Sequence, residues 1–103
     1  MGFITVPSQE TAKSLARLLV KQHLVACVNI HNRPVTSIYW WEGKIEEEVE
    51  GEFLLMFKTK TTLVEECIEV VKEHHPYDTP EVIITSIEQG NEDYLNWIDQ
   101  VTK

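Results

Sequence analysis

Ser37–Lys60, SIYWWEGKIEEEVEGEFLLMFKTK, is the stretch that decides the fold of this 103-residue chain. Two β-prone runs lie on either side of Glu42-Gly43-Lys44, a pattern typical of a hairpin turn. The second arm, from Ile45 to about Thr59, extends roughly 50 Å at ~3.3 Å per residue. A domain of about 100 residues has a radius of gyration of about 13 Å and hence a diameter of about 35 Å. The hairpin is therefore predicted to bend or to project beyond its own core.

Three aromatic residues, Tyr39, Trp40 and Trp41, lie together near the predicted tip. Aromatic surface is costly to expose as a group, and projecting strands with unpaired edges invite pairing with another chain. We therefore expect a homo-oligomer in which hairpins pack across subunits. Gly51 indicates a bulge or a bend in the long arm. Alternation along that arm predicts one apolar side, made of Ile45, Val49, Phe53, Leu55 and Phe57.

The elements before the hairpin follow a strand–helix–strand order. FITV is a buried strand, Ser8 caps a helix that runs through Lys21, and LVACVNI is a second strand. Because a helix separates these two strands, we expect them to run parallel through a right-handed crossover. The helix is predicted to bury one stripe, which consists of Ala12, Leu15, Ala16 and Leu19.

The elements after the hairpin are a helix, a strand and a final helix. Thr62 and Glu65 predict a capping box, PEVIITSI predicts a last long strand, and Asn91 begins a terminal helix with Tyr94 on its inner stripe. The resulting order, βαββαβ plus a C-terminal helix, predicts an α+β fold of the ferredoxin-like type with a long central hairpin. Residues 1–103 form a single domain in this prediction, with helices on one face of an antiparallel sheet.

The composition, 43% hydrophobic and 25% charged, is that of an ordinary soluble protein. A net charge of −8 argues against a nucleic-acid partner, because phosphate binding uses clustered Lys and Arg. No apolar run approaches the ~18 residues that span a bilayer, and the first residues lack the features of a secretory signal, so we expect no membrane insertion. With only Cys27 and Cys67, we expect a reducing, cytoplasmic location and folding without a disulfide or a metal.

The motifs of the common enzyme classes are missing from the sequence. The four glycines are too scattered for a phosphate-binding loop or a dinucleotide fingerprint, and no Gly-x-Ser-x-Gly occurs. Cys27 lies among apolar residues, like a packed small side chain rather than a nucleophile. We therefore expect a protein that is not an enzyme.

Two adjacent histidines, in VVKEHHPYDTPE (Val70–Glu81), suggest a metal site. Neighbouring helical residues point about 100° apart, so His74 and His75 would not share one ion within a helix. A residue that precedes proline is displaced from the α region, so His75 is expected to leave the helix and the two rings can converge. The alternative is that the histidines only end the helix, where they complement its macrodipole. The glutamates between Glu42 and Glu52 attract cations, or else they form a solvated surface.

Five motifs, LVACVNI, SIYWWEGKIE, KTK, HHPYDTPE and YLNWI, occur in the order and spacing of the CutA family, the divalent-cation tolerance proteins. The chain resembles that family over nearly its whole length. The resemblance implies a tightly interlocked homotrimer of ferredoxin-like subunits, similar in architecture to PII signalling proteins, and a role in the response to metal ions. It implies no established catalytic reaction.

The resemblance also implies particular metal ligands. In copper-binding members these are a cysteine of the first strand and the paired histidines, which match His74 and His75 here. Ile4 stands where those members carry the cysteine, so this chain lacks the soft thiolate that most favours Cu(I). The predicted bound ion is therefore Cu²⁺ or another divalent cation, held weakly by His74 and His75.

A small-molecule cleft between subunits is an alternative function. Polar and aromatic residues near strand ends and loops match family motif positions, namely Trp41, Lys44, Glu46, Lys58, Tyr77 and Glu81. In a trimer such groups can gather where subunits meet, and ligand sites often form there. The chain would then be a PII-like sensor of a small anionic metabolite, unless Lys44 and Lys58 only neutralise neighbouring glutamates. A trimeric scaffold without a ligand is a third alternative.

Overall fold

The computed structural model describes residues 1–103, which form five strands, three α-helices and one short 3-10 helix. The strands are β1 (Gly2–Val6), β2 (Cys27–Ile30), β3 (Val35–Trp41), β4 (Lys44–Lys58) and β5 (Val82–Ile84). The helices are α1 (Gln9–Lys21), α2 (Val64–His74) and α3 (Glu92–Val101), with a short 3-10 helix at Thr61–Leu63. None of these helices has both the length and the apolar character that crossing a bilayer would require.

β4 is the strand that joins the sheet together. Its C-terminal half pairs antiparallel with β1 on one edge and with β2 on the other, and β5 pairs with the free edge of β1. The resulting order is β2-β4-β1-β5, with β3 paired to the N-terminal half of β4. β1 and β2 therefore run in the same direction with β4 between them. This order, together with the two crossover helices, confirms the predicted α+β ferredoxin-like fold.

The core lies between this sheet and helices α1 and α2. Ser8 Oγ accepts a hydrogen bond from the Thr11 amide at 3.1 Å, which fixes where α1 begins. The predicted stripe of α1 is buried, and it packs with residues of β1, β4 and α2 in one cluster. Its largest fully buried members include Phe57, Ile4 and Leu55. Burying a side chain of this size stabilises the fold by ~1.5–3 kcal/mol, so this cluster is the main source of stability.

The hairpin turns through two residues and extends away from the core. Glu42 and Gly43 have φ angles of 49° and 80°, and Trp41 pairs with Lys44 across them. Positive φ at both positions gives the turn a twist that matches its strands. The molecule measures 44 × 26 × 25 Å, so its long axis exceeds the ~35 Å expected of a compact domain of this size. These dimensions agree with the predicted projection of the hairpin.

β4 is irregular halfway along its length. Val35 pairs with Glu52 but Ser37 pairs with Glu48, and Glu50 has a φ of 52°. The irregularity predicted at Gly51 is therefore present, and the residue at positive φ is its neighbour Glu50. A Cβ at Gly51 would lie 2.9 Å from Glu48 Oε2, so a larger residue there would displace the end of the Glu48 side chain.

The predicted apolar side of β4 does not continue past this irregularity. Leu55 and Phe57 are fully buried, whereas Ile45 is 61% exposed and Val49 is 68% exposed. Only the part of the predicted apolar side that follows the bulge is buried within the chain, because no helix covers the hairpin before it.

The capping box predicted at Thr62 and Glu65 is wrong. The chain forms a 3-10 turn over Thr61–Leu63, and α2 begins at Val64 with Leu63 as an N-cap that makes no side-chain hydrogen bond. The preceding 3-10 turn continues directly into the helix, so no extended residue is left to act as a cap.

The last strand and the last helix also differ from the predictions. β5 covers only three residues, and its ladder ends where the Thr85 amide donates to the Met1 carbonyl at 2.8 Å. The strand is short because its partner β1 begins at Gly2. On α3, Ile98 is buried as predicted, but Tyr94 is exposed, with its hydroxyl 3.5 Å from Cys27 Sγ.

Candidate functional site

His75 is the C-cap residue that follows α2, and its ring is buried against β1 and the loop after the helix. The residue has φ −87° and ψ 137°, the extended conformation predicted for a residue before proline. Its Nδ1 accepts a hydrogen bond from the Tyr77 amide at 3.1 Å. The proton of the neutral ring therefore lies on Nε2, which donates to the Thr5 carbonyl at 2.7 Å. Both ring nitrogens are used within the chain, so neither has a free lone pair for a metal.

His74 is the last residue of α2, and its side chain is exposed. Its Nδ1 lies 3.0 Å from the Val70 carbonyl, one turn earlier in the helix. Because a carbonyl only accepts, Nδ1 is the donor and Nε2 carries the free lone pair. A ring nitrogen held by a carbonyl in this way is common in metal-binding histidines. Both histidines border one groove of about 410 Å³, which also includes Glu10 and Glu73.

The side chains of one chain do not complete a metal site. No group of three or more His, Cys, Asp or Glu residues is placed to hold one ion. Ile4, at the position of the family cysteine, is fully buried in the core. Burial raises the pKa of the Cys67 thiol, whose Sγ donates to the Leu24 carbonyl at 3.4 Å, and this disfavours a metal-binding thiolate. A metal at His74 therefore needs further ligands from water or from a second copy of the chain.

A larger cleft, of about 830 Å³, lies between the hairpin and the loop at residues 76–81. Tyr39 and Trp41 line it from β3, and Tyr77 lines it from the loop. Three of the predicted cleft residues, Trp41, Tyr77 and Glu81, meet here. The volume falls within the ~300–1,000 Å³ range that is typical of small-molecule sites.

The other three predicted cleft residues lie elsewhere. Lys44 Nζ pairs with Glu46 Oε1 at 3.4 Å next to the hairpin turn. Lys58 lies at the opposite end of β4, where its ammonium group donates a hydrogen bond to the Asn29 side chain. Lys44 therefore neutralises a neighbouring glutamate, one of the two roles predicted for it. The length of β4 keeps Lys44 and Lys58 apart.

Carboxylates dominate the electrostatics of the cleft. Its lining includes four acidic residues and no Lys, Arg or His: Glu48, Glu52, Asp78 and Glu81. The Tyr39 hydroxyl donates to Glu48 at 3.0 Å, and the Tyr77 hydroxyl donates to Glu52 at 3.2 Å. Burial, followed by the charge of Glu52, raises the pKa of Tyr77 to about 12. The hydrogen bond to Glu48 likewise raises the pKa of Tyr39. Both hydroxyls therefore remain protonated near neutral pH, and each orients one carboxylate.

The sequence matches one family model along almost all of its length. The model is described as CutA1 divalent ion tolerance protein, and it matches residues 1–101. The chain belongs to the CutA1 divalent ion tolerance family. A relative from Pyrococcus horikoshii, named divalent-cation tolerance protein CutA, is 44% identical over 98% of this chain and 95% of its own length. Mouse Protein CutA is 48% identical over 99% of this chain and 56% of its own length, so the chain spans about half the length of such curated relatives.

Solved CutA structures have the same fold. The Thermus thermophilus protein, described as a divalent cation tolerance protein, superimposes with a TM-score of 0.94 at 43% identity, covering 99% of this chain and 96% of that one. CutA1 from Oryza sativa gives a TM-score of 0.93 at 42% identity, with coverage of 99% and 91%. The arrangement of β4 and the hairpin is thus a property of the CutA fold.

The cleft residues that sequence reasoning missed in this CutA-family chain are Tyr39, Glu48, Glu52 and Asp78. Two of them had a signal in the sequence. A two-residue turn at Glu42 and Gly43 places Tyr39 opposite Glu46, so Glu48 lies diagonally across on the same face. Glu52 and Asp78 had no such signal, because the bulge in β4 and the path of the loop after α2 bring them together.

Proposed function

We propose that this chain acts in divalent-cation tolerance as a non-enzymatic, cytoplasmic homotrimer that weakly binds Cu²⁺ or a similar ion at His74. His75, the second ligand predicted from the sequence, has no free ring nitrogen for the ion. Family membership supports the role in cation tolerance. One observation carries the metal part: the exposed His74 ring has its Nδ1 bonded to Val70 and its Nε2 free. Imidazole suits Cu²⁺, and a site with few protein ligands binds weakly.

The surface of the hairpin supports the assembly. Trp40 is 71% exposed and pairs across the hairpin with Ile45, which is 61% exposed. Soluble monomers rarely expose contiguous apolar patches of this kind. The N-terminal half of β4 pairs only with β3, so the backbone groups along its other edge are available to a neighbouring copy.

Sedimentation equilibrium at micromolar concentration tests the oligomeric state. The expected particle has three times the chain mass of 12.0 kDa. A particle of 12.0 kDa would contradict the proposed assembly.

Calorimetric titration with Cu²⁺ tests the proposed ligands. His74→Ala is expected to abolish binding, whereas His31→Ala, which removes another exposed histidine, leaves the isotherm unchanged. His75→Ala is expected to weaken binding less than His74→Ala does, because both His75 nitrogens already have partners. If the isotherms of wild type and His74→Ala coincide, the assignment of His74 is wrong.

A PII-like sensor is the second candidate, and the cleft of about 830 Å³ favours it. The four carboxylates along the cleft disfavour the small anionic metabolite predicted from the sequence. Lys58, the cation predicted to bind that metabolite, bonds to Asn29 instead. A thermal-shift screen on wild type and Lys58→Ala separates the candidates: stabilisation by an anion that requires Lys58 favours the sensor, and stabilisation by metal that ignores Lys58 favours metal binding. Lack of any stabilising ligand would favour a trimeric scaffold.

A further inference from the structure

The cleft of about 830 Å³ combines exposed aromatic rings with carboxylates, a combination not found in the groove beside His74 and His75. We infer that the cleft between the hairpin and the loop at residues 76–81 binds a small organic cation, with its ammonium group held among aromatic rings and carboxylates. This site goes beyond the proposed metal function and does not depend on it, because His74 and His75 do not line the cleft.

Aromatic rings are the first part of the argument. Tyr39 and Trp41 are 38% and 46% exposed, and with Tyr77 they line the same cavity. The face of an aromatic ring carries partial negative charge and attracts a cation within about 6 Å. Carboxylates alone would form a solvated acidic surface, and rings alone would form an apolar patch. Their combination in one cavity suits a ligand that has both positive charge and apolar carbon atoms.

The charge balance of the cleft is the second part. None of its four carboxylates takes part in an ion pair within the chain. The tyrosine hydroxyls occupy one oxygen each of Glu48 and Glu52, which leaves the second oxygen of each side chain available. Together the four carboxylates give the cleft a negative field. A cation neutralises this field, whereas an anion is repelled by it.

The lining of the cleft suits an organic cation better than it suits a metal ion. A hard ion such as Mg²⁺ binds oxygen ligands in near-ideal octahedral geometry and keeps several waters, so it gains nothing from the rings. A choline-like or putrescine-like molecule can place its charge against a carboxylate and its methyl or methylene groups against Trp41 or Tyr77.

Titration of the assembled protein with choline and with putrescine tests the inference, with Trp fluorescence and calorimetry as readouts. The expected result is saturable binding of at least one of the two, with little competition from Mg²⁺ at the same ionic strength and none from glutamate. If neither organic cation binds saturably, or if Mg²⁺ displaces them completely at equal concentration, the inference is wrong.

Two glutamate variants distinguish binding at the cleft from a non-specific effect of the net negative charge. Glu81 lines the cleft, whereas Glu47 lies on β4 outside it, and both side chains are exposed. Glu81→Gln is expected to weaken binding about five-fold, the value of one ion contact near water. Glu47→Gln makes the same change in net charge and is expected to weaken binding less than about two-fold. Equal weakening by the two variants would show a non-specific charge effect and overturn the site.

A ring variant tests the aromatic part separately. Trp41→Leu keeps apolar volume and removes the ring face, so we expect binding to weaken about two- to five-fold. Circular dichroism checks the fold, and Cu²⁺ titration at His74 should be unchanged in the same variant. Choline affinity equal to that of wild type in Trp41→Leu would remove the rings from the proposed site.

Discussion

Both halves of β4 carry apolar residues, but the two halves have very different surroundings. From Phe53 to Lys58 the strand lies between β1 and β2 under the helices, and both Leu55 and Phe57 are fully buried. From Lys44 to Glu50 only β3 lies beside it, and Ile45 and Val49 are more than half exposed. The same strand is thus part of a complete core at one end and of an uncovered surface at the other.

This difference shows that an apolar residue of β4 stabilises the chain only where a second layer of structure covers it. In the core half, helices α1 and α2 supply that layer within the chain. In the hairpin half, no helix of the chain supplies such a layer, and in the proposed assembly a neighbouring copy would supply it. Substitutions in the two halves should therefore change different measured quantities, namely the free energy of unfolding and the dissociation constant of the assembly.

The largest expected effect is that of Phe57→Ala. Phe57 is fully buried in the central strand, so the cavity and the lost apolar burial should reduce the free energy of unfolding by about 3–5 kcal/mol. Ile45→Ala on the same strand should change it by less than about 0.5 kcal/mol, because the side chain is already solvated. Urea unfolding at a fixed, low protein concentration measures both. Similar losses in the two variants would contradict the division of β4 into two halves.

The next effect concerns assembly. Trp40→Ala removes the most exposed aromatic side chain of the hairpin, and a buried tryptophan at an interface contributes about 2 kcal/mol or more. We therefore expect the dissociation constant to rise about 30-fold, while the circular dichroism of the chain stays unchanged. A dilution series in sedimentation measures the change, and Glu47→Gln on the same hairpin is the control. If the Trp40→Ala assembly dissociates at the same protein concentration as the wild-type assembly, the hairpin aromatics do not form the interface.

A third, smaller effect on stability is expected at His75, which joins β1 to the loop at residues 76–81. His75 is 7% exposed and bonds to both β1 and Tyr77, so His75→Ala leaves the Thr5 carbonyl and the Tyr77 amide without partners. We expect a loss of about 1–3 kcal/mol in the free energy of unfolding. His74→Ala, one residue earlier and exposed, should cost less than about 0.5 kcal/mol. Equal losses would mean that His75 does not hold the loop.

The sequence predicted the core half of the molecule well because local patterns and tertiary packing agree there. The helix from Ser8 to Lys21, its buried stripe and the turn at Gly43 all follow from short-range signals, and the structure confirms them. The projection of the hairpin followed from a length argument that needs no packing detail. The order of the elements predicted the ferredoxin-like topology, and family resemblance added the expected homotrimer.

The candidate site was harder to predict because tertiary contacts decide it. Lys44 and Lys58 were predicted to gather in a cleft between subunits, and within one chain β4 places them at opposite ends. His74 and His75 are adjacent in the sequence, but their rings differ in bonding. His74 has one ring nitrogen free, whereas both ring nitrogens of His75 are hydrogen-bonded within the chain. Glu52 and Tyr77 are 25 positions apart in sequence and meet through a hydrogen bond that no local pattern signals.

The smallest expected effect is a pH dependence at the boundary between the two halves, where Tyr77 contacts Glu52. The pKa of Tyr77 rises from its ordinary 10.0 to about 12 in the folded chain. Because the folded-state value is the higher one, the native state holds this proton more tightly than the unfolded state. The contribution to stability is complete below the unfolded pKa and is lost as the pH rises through the folded pKa.

Solvent screening keeps that contribution below about 1 kcal/mol, because Tyr77 is only partly buried. Tyr77→Phe removes the titrating group, so the difference in stability between wild type and variant should shrink from about pH 9 to about pH 11.5. Urea unfolding at the two pH values measures it, and comparing wild type with variant cancels the titration of lysines common to both. A difference that stays constant over this range would show that Tyr77 ionises as freely in the folded chain as in the unfolded one, and that the cleft carboxylates exert no net field on it.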